Sequence, residues 1–219
     1  MPTPPPPNAL VFDLDGTLVD TVDDRIEAWA AAFAERSIPV AREQLEPMIG
    51  MDGRRLAREV ARAAGRALTD AEVEELDRRS GELFDERNRD PRPLPGARAL
   101  LSRLDAAGIT WAIATSSRAK QVARSVAALD LGEPRIVDGS CVDHAKPAPD
   151  LLLLAARELG TKVEETWYVG DSTWDMEAAV AAGMPGIGVL AGAAVDAEAL
   201  LRAGARHVVA TLDELELGR

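Results

Sequence analysis

In NALVFDLDGTLVDT, residues 8–21, the apolar run Ala9-Leu10-Val11-Phe12 has strand character and delivers two acids, Asp13 and Asp15, into the turn pair Asp15-Gly16. Open parallel sheets bind ligands beyond the carboxyl ends of their strands, where loops and helix N-termini leave a crevice lined by unpaired backbone groups. Two more strand-like runs end in polar groups: WAIATSS in Thr115 and Ser116, and TWYVGDSTWD in Asp171, Ser172 and Asp175. Acids crowded at one site repel each other and resist ionisation unless a cation holds them. Carboxylate oxygens with a backbone carbonyl are hard ligands, which points to Mg²⁺, and two histidines with one cysteine do not suit a zinc site. Helix capping accounts equally well for Asp171, Ser172 and Asp175. It does not account for Asp13, which closes an apolar strand.

Lys146 adds a positive charge. Lysine occurs only at 120, 146 and 162, arginine serving everywhere else, and AKPAPD fixes Lys146 before two prolines at the mouth of the helix DLLLLAARELG. A compact ammonium there reaches an aspartate and a phosphoryl oxygen together, where a guanidinium fork fits poorly. By itself the residue reads more readily as a solvated surface lysine.

The elements that must carry these groups follow from periodicity. Ile26, Trp29, Ala30 and Phe33 have helical spacing and predict an amphipathic helix over 21–36, with Asp20 as its N-cap. Leu56, Ala57, Val60, Ala63 and Ala64 repeat the pattern, and TDAE at 69–72 is a capping box opening a third helix. NRDPRPLPG, 88–96, breaks helicity and reads as a linker. Beyond it, short apolar runs near 109–114, 135–137, 166–169, 186–190 and 207–210 alternate with helices, and Gly108, Gly160 and Gly183 stand where C-caps belong. The expected fold is α/β: a Rossmann-like parallel sheet core, 8–20 and 92–219, with an all-helical cap subdomain, 21–91, inserted after the first strand, and a disordered proline-rich tail over 1–7.

Bulk properties bound the function. A formal charge of −12 argues against nucleic acid or an anionic membrane surface as partner, so an anionic substrate needs local positive charge or a bound cation. The lone Cys141 forbids an intrachain disulfide, suits a cytoplasmic location, and reads as structural rather than as a nucleophile with His144. No apolar stretch approaches the roughly 18 residues of a membrane span, and no basic region precedes an apolar one as in a signal peptide. A monomer or homodimer is expected.

Taken together, DLDGTLVD, ATSS, KPAPD and GDSTWD resemble the four motifs of the haloacid dehalogenase superfamily, in order, in its subgroup with a helical cap after the first motif, which includes phosphoglycolate phosphatases and β-phosphoglucomutases. The resemblance implies a Mg²⁺-dependent phosphatase acting on a small phosphorylated metabolite, of the phosphoglycolate or sugar phosphate class. Asp13 would be the nucleophile that forms an aspartyl-phosphate, and Asp15 the general acid and then base. Asp13, Asp15 through its carbonyl, Asp171 and Asp175 would hold the metal. Thr115 and Lys146 would stabilise the transferring phosphoryl group, with Ser116 beside them binding substrate. MIGMDGRRLARE looks like the cap segment facing the site, and Arg54 or Arg55 is expected to clamp a carboxylate or second phosphate of the substrate. The superfamily's dehalogenases lack an acid at the Asp15 position, and its carbon–phosphorus hydrolases need a cap lysine, whereas no lysine occurs between 21 and 90. A sugar phosphomutase using the same intermediate is the alternative, and a phosphoacceptor signalling module a further one. The chain departs from many relatives in carrying Ala145, not glycine, before Lys146.

Overall fold

The computed structural model describes residues 6–217. Most of the predicted 1–7 tail lies outside them, and Pro7 is already buried at the foot of the first strand. In chain order the elements are β1 (Ala9–Phe12), β2 (Val19–Asp20), α1 (Val22–Glu35), α2 (Arg42–Leu45), α3 (Gly53–Ala63), α4 (Asp70–Arg87), β3 (Arg92–Pro93), α5 (Ala97–Ala107) and β4 (Thr110–Ala114). There follow α6 (Ala119–Ala128), β5 (Ile136–Val137), α7 (Asp150–Leu159), β6 (Thr166–Gly170), α8 (Thr173–Ala182), β7 (Gly186–Val189), α9 (Ala197–Ala203) and β8 (His207–Val209).

The main sheet runs β5-β4-β1-β6-β7-β8, and all its pairings are parallel. A strand buried on both faces must be apolar throughout rather than alternating, and β1 is fully buried along its length. Leu10 and Phe12 face one layer, with Leu100, Leu101 and Leu104 of α5. Val11 faces the other, with Leu151, Leu152 and Ala155 of α7 and Ala178 of α8. Left-handed Gly108, Gly160 and Gly183 close α5, α7 and α8 as expected.

Helices α1, α3 and α4 pack around their own apolar cluster, in which Trp29 stacks on Phe33 at 5.5 Å. The capping box of α4 forms as predicted, Thr69 accepting from the Glu72 amide while the Glu72 carboxylate accepts from Thr69. Two details differ from the sequence reading. Part of the 88–96 linker is strand: β3 pairs antiparallel with β2, so a two-stranded ribbon ties both ends of the helical insert together. That pairing keeps Asp20 extended opposite Arg92, and the N-cap position of α1 falls to Thr21 instead.

Because β1 lies inside the sheet and its Leu10 is completely buried, Leu10→Ala should cost about 3 kcal/mol of unfolding free energy. Urea denaturation would measure it, and a loss under about 1 kcal/mol would contradict this account of the core.

Candidate active site

Sheet order explains how distant residues meet. β1 lies between β4 and β6, and in register Phe12 sits beside both Ile113 and Val169. The next residues, Asp13 from β1, Thr115 just past β4, and Asp171 just past β6, therefore emerge at one edge. The Asp13 amide still donates to the Val169 carbonyl at 2.8 Å, and the Thr115 amide to Val137 at 3.0 Å, which fixes where each chain leaves the sheet.

Lys146 is the counterion at the centre. It is 1% exposed and donates to Asp13 Oδ1 at 2.6 Å and to Asp175 Oδ1 at 2.7 Å, so it is not the surface lysine that its local sequence also allowed. Burial opposes its charge, but the two carboxylates outweigh that and push its pKa up. For Asp13 the balance falls the other way. Burial dominates the pull of Lys146, and its pKa rises to about 7. Asp171 is also pushed well up, first by burial and then by Asp175 and Asp13.

Asp13, Asp171 and Asp175 each present a carboxylate oxygen within 4.8 Å of the others, all buried, which is a cation-binding geometry of hard donors. Their capacity differs. Asp175 is the third residue of the α8 capping box. Its Oδ2 accepts from the Ser172 amide and hydroxyl, and its Oδ1 from Lys146 and Tyr168. Asp171 accepts only from Thr17, at 2.7 Å on Oδ1, and its second oxygen has no protein donor among the described residues. Gly16 has φ +78°, and a Cβ there would stand 2.3 Å from that free oxygen. The turn after Asp15 thus needs glycine both for its backbone and for the approach of Asp171.

Asp15 has a different environment. Arg25 of α1 donates to its Oδ2 at 2.8 Å and to the Ser117 hydroxyl at 2.6 Å, Ser117 donates to the same Oδ2 at 2.7 Å, and Thr21 donates to Oδ1 at 2.8 Å. Burial alone would raise Asp15, but Arg25 and these hydroxyls overcome it and hold the carboxyl below its usual range. The Arg25 guanidinium also lies 3.5 Å from the centre of the Phe84 ring.

A cavity of about 70 Å³ joins these groups to the helical insert; Asp13, Asp15, Thr115, Ser116 and Lys146 line it from the core. On that measure it holds on the order of five water molecules. The insert sits down on the core. The Ser116 hydroxyl donates to the Gly50 carbonyl at 3.2 Å, the Asp52 amide to the Lys146 carbonyl at 3.2 Å, and the Trp174 indole to the Pro47 carbonyl at 2.8 Å.

Arg54 and Arg55 do not line this cavity. Arg54 lies 3.5 Å from Asp52, Arg55 pairs with Glu59 at 2.7 Å and leans over the Trp174 ring, and both face a neighbouring depression with His144. The insert's cation in the cavity is Arg25. The helical period placed Arg25 beside the buried Ile26, but its sequence neighbours gave no sign that it reaches Asp15. Thr17, Thr21, Ser117 and Tyr168 escape the sequence reading for the same reason, although Thr17 lies inside DLDGTLVD and Ser117 inside ATSS. Cys141 is exposed and outside the cavity.

A family model for haloacid dehalogenase-like hydrolases matches residues 7–183. The chain belongs to that family. It is 31% identical over 197 residues to a phosphoglycolate phosphatase of Xanthomonas campestris, covering 85% of this chain and 84% of that one. It is 32% identical over 180 residues to an N-acetylmuramic acid 6-phosphate phosphatase of Pseudomonas aeruginosa, covering 80% and 78%. Among solved structures, a hydrolase from Pseudomonas syringae superposes with a TM-score of 0.90 at 35% identity over 93% of this chain and 94% of that one. This haloacid dehalogenase-like protein is an enzyme, a phosphatase. Among the described residues no helix is long and apolar enough to cross a membrane.

The elevated Asp13 and Asp171 carboxyls carry a stability consequence. A folded carboxyl at about 7 keeps a proton that the unfolded chain, near 3.8, has released, so the metal-free enzyme loses stability as pH rises between those values. Thermal melts in EDTA should show a falling midpoint from pH 5 to pH 8, with a smaller fall in Asp13→Asn. Equal slopes in the two proteins would refute the assignment.

Proposed function

We propose that the enzyme hydrolyses a small phosphorylated metabolite through an aspartyl-phosphate on Asp13, with Mg²⁺ as cofactor. The observation that carries the reading is the meeting of Asp13 with Lys146 at 2.6 Å and with Asp171 in one buried acidic cluster, while Asp13, Lys146 and Thr115 line the cavity. The donor set fits a hard divalent cation: Asp13 and Asp171 offer carboxylate oxygens, and the Asp15 carbonyl would add a neutral donor. Asp175, its oxygens already engaged by four donors, supports the site by holding Lys146 and Ser172. Bound Mg²⁺ supplies positive charge that offsets the phosphoryl oxygens and favours ionised carboxylates.

In the first half-reaction an Asp13 oxygen attacks phosphorus, the bond to the leaving oxygen breaks, and Asp15 gives that oxygen a proton. Lys146 and Thr115 stabilise the phosphoryl oxygens in flight. In the second half, water attacks the aspartyl-phosphate while Asp15 takes its proton, releasing inorganic phosphate and restoring Asp13. With the insert closed, Arg25, Ser117 and Thr21 keep Asp15 ionised, the form required of the base.

Asp13→Asn should lower kcat by at least about 10⁴-fold while the far-ultraviolet circular dichroism spectrum is retained; retained turnover would remove Asp13 from the chemistry. EDTA should abolish phosphate release from a panel of phosphate monoesters and Mg²⁺ should restore it. The thermal shift caused by Mg²⁺ should be larger at pH 8 than at pH 5, because the ligand carboxylates are then freed of protons at less cost. Isomerisation of a sugar phosphate stimulated by its bisphosphate, with little phosphate released, would make the enzyme a mutase instead.

A further inference from the structure

The cavity wall opposite Asp13 is built mainly by the helical insert, and its chemistry selects among leaving groups. Asp77, Ser80 and Gly81 of α4 stand at i, i+3 and i+4, and so share one helix face. Gln121 of α6 joins them from the core side. Three polar atoms on this wall have no protein partner among the described residues: Asp77 Oδ1, Ser80 Oγ and Gln121 Nε2. Arg118 takes only the other Asp77 oxygen, at 3.0 Å, and the Gln121 carbonyl oxygen accepts from the Arg118 amide. Two glycines make room for these groups. A Cβ on Gly81 would lie 2.1 Å from Gln121 Nε2, and one on Gly53 would lie 2.1 Å from Asp77 Oδ1. Trp29 and Leu56 supply the apolar part of the same wall.

Positive charge is fully committed there. The cations lining the cavity are Lys146, held by Asp13 and Asp175, and Arg25, held by Asp15. Arg118 is outside the lining and paired with Glu74 and Asp77. A carboxylate on the leaving group would meet Asp77 and no free cation. Recruiting Arg25 for it would leave Asp15 buried without its partner, a costly exchange.

We infer that the leaving group is neutral and hydroxyl-bearing, a polyol or sugar, recognised by Ser80, Gln121 and Asp77 against Trp29, and that carboxylate-bearing phosphates such as phosphoglycolate are disfavoured. This rests on the phosphatase reading and sharpens it. One donor, one acceptor and one hydroxyl match what a pair of sugar hydroxyls offers, and unpaired polar groups in a site reject ligands that leave them unpaired.

The test measures kcat/KM for the full chain with Mg²⁺ on matched pairs differing by a hydroxymethyl or carboxylate group, glycerol phosphate against phosphoglycerate and glucose phosphate against phosphogluconate, with phosphoglycolate as a fifth substrate. The hydroxymethyl member of each hydrolysed pair should lead by at least about tenfold and should also exceed phosphoglycolate, and Ser80→Ala and Gln121→Ala should each narrow that ratio several-fold. A ratio of one or below, or a ratio unmoved in both variants, overturns the inference while leaving the phosphatase reading intact. Hydrolysis of none of the five overturns both.

Discussion

The site is organised by the cost of putting carboxylates together out of water. Asp13, Asp171 and Asp175 are all buried, and one ammonium, Lys146, touches two of them. One positive charge cannot satisfy three negative ones, and the excess shows in the raised proton affinities of Asp13 and Asp171. A fold tolerates such a deficit only where something outside the chain removes it. A divalent cation does so directly, and the Asp171 oxygen left without a protein donor faces that need.

The remaining acids are handled by separate means, which keeps their roles distinct. Asp175 is consumed by capping α8 and holding Lys146 and Tyr168, so a helix start doubles as the anchor of the charged cluster. Asp15, two residues from Asp13, is served by Arg25 from the helical insert and by Ser117 from the core. Its proton affinity is lowered where those of Asp13 and Asp171 are raised. Because Arg25 belongs to α1 and stacks on Phe84 of α4, the state of Asp15 is tied to the position of the whole insert. One guanidinium thus links the environment of Asp15 to the packing of the insert.

The order of elements and the strand-end residues were legible because they depend on local rules. A doubly buried strand reads as an unbroken apolar run, an amphipathic helix repeats at 3.6 residues, and glycine marks C-caps; β1, α1 and Gly108, Gly160 and Gly183 all follow. The ribbon of β2 with β3 was not legible, since each strand is two residues long and gains its structure only from the other, more than 70 positions away in sequence. Asp20 was misplaced for that reason, its local sequence favouring a cap that strand pairing forbids.

The sequence by itself determined which side chains could do chemistry and at which strand ends they lie, because residue type and periodicity are properties of the chain near each position. Sheet order and helix packing decided the rest. Placing β1 between β4 and β6 made neighbours of Asp13, Thr115 and Asp171, and docking α1 and α4 put Arg25, Asp77 and Ser80 on the cavity while leaving Arg54 and Arg55 outside. Which face of a helix meets a partner is set by the pair, and no window of one strand of sequence contains both.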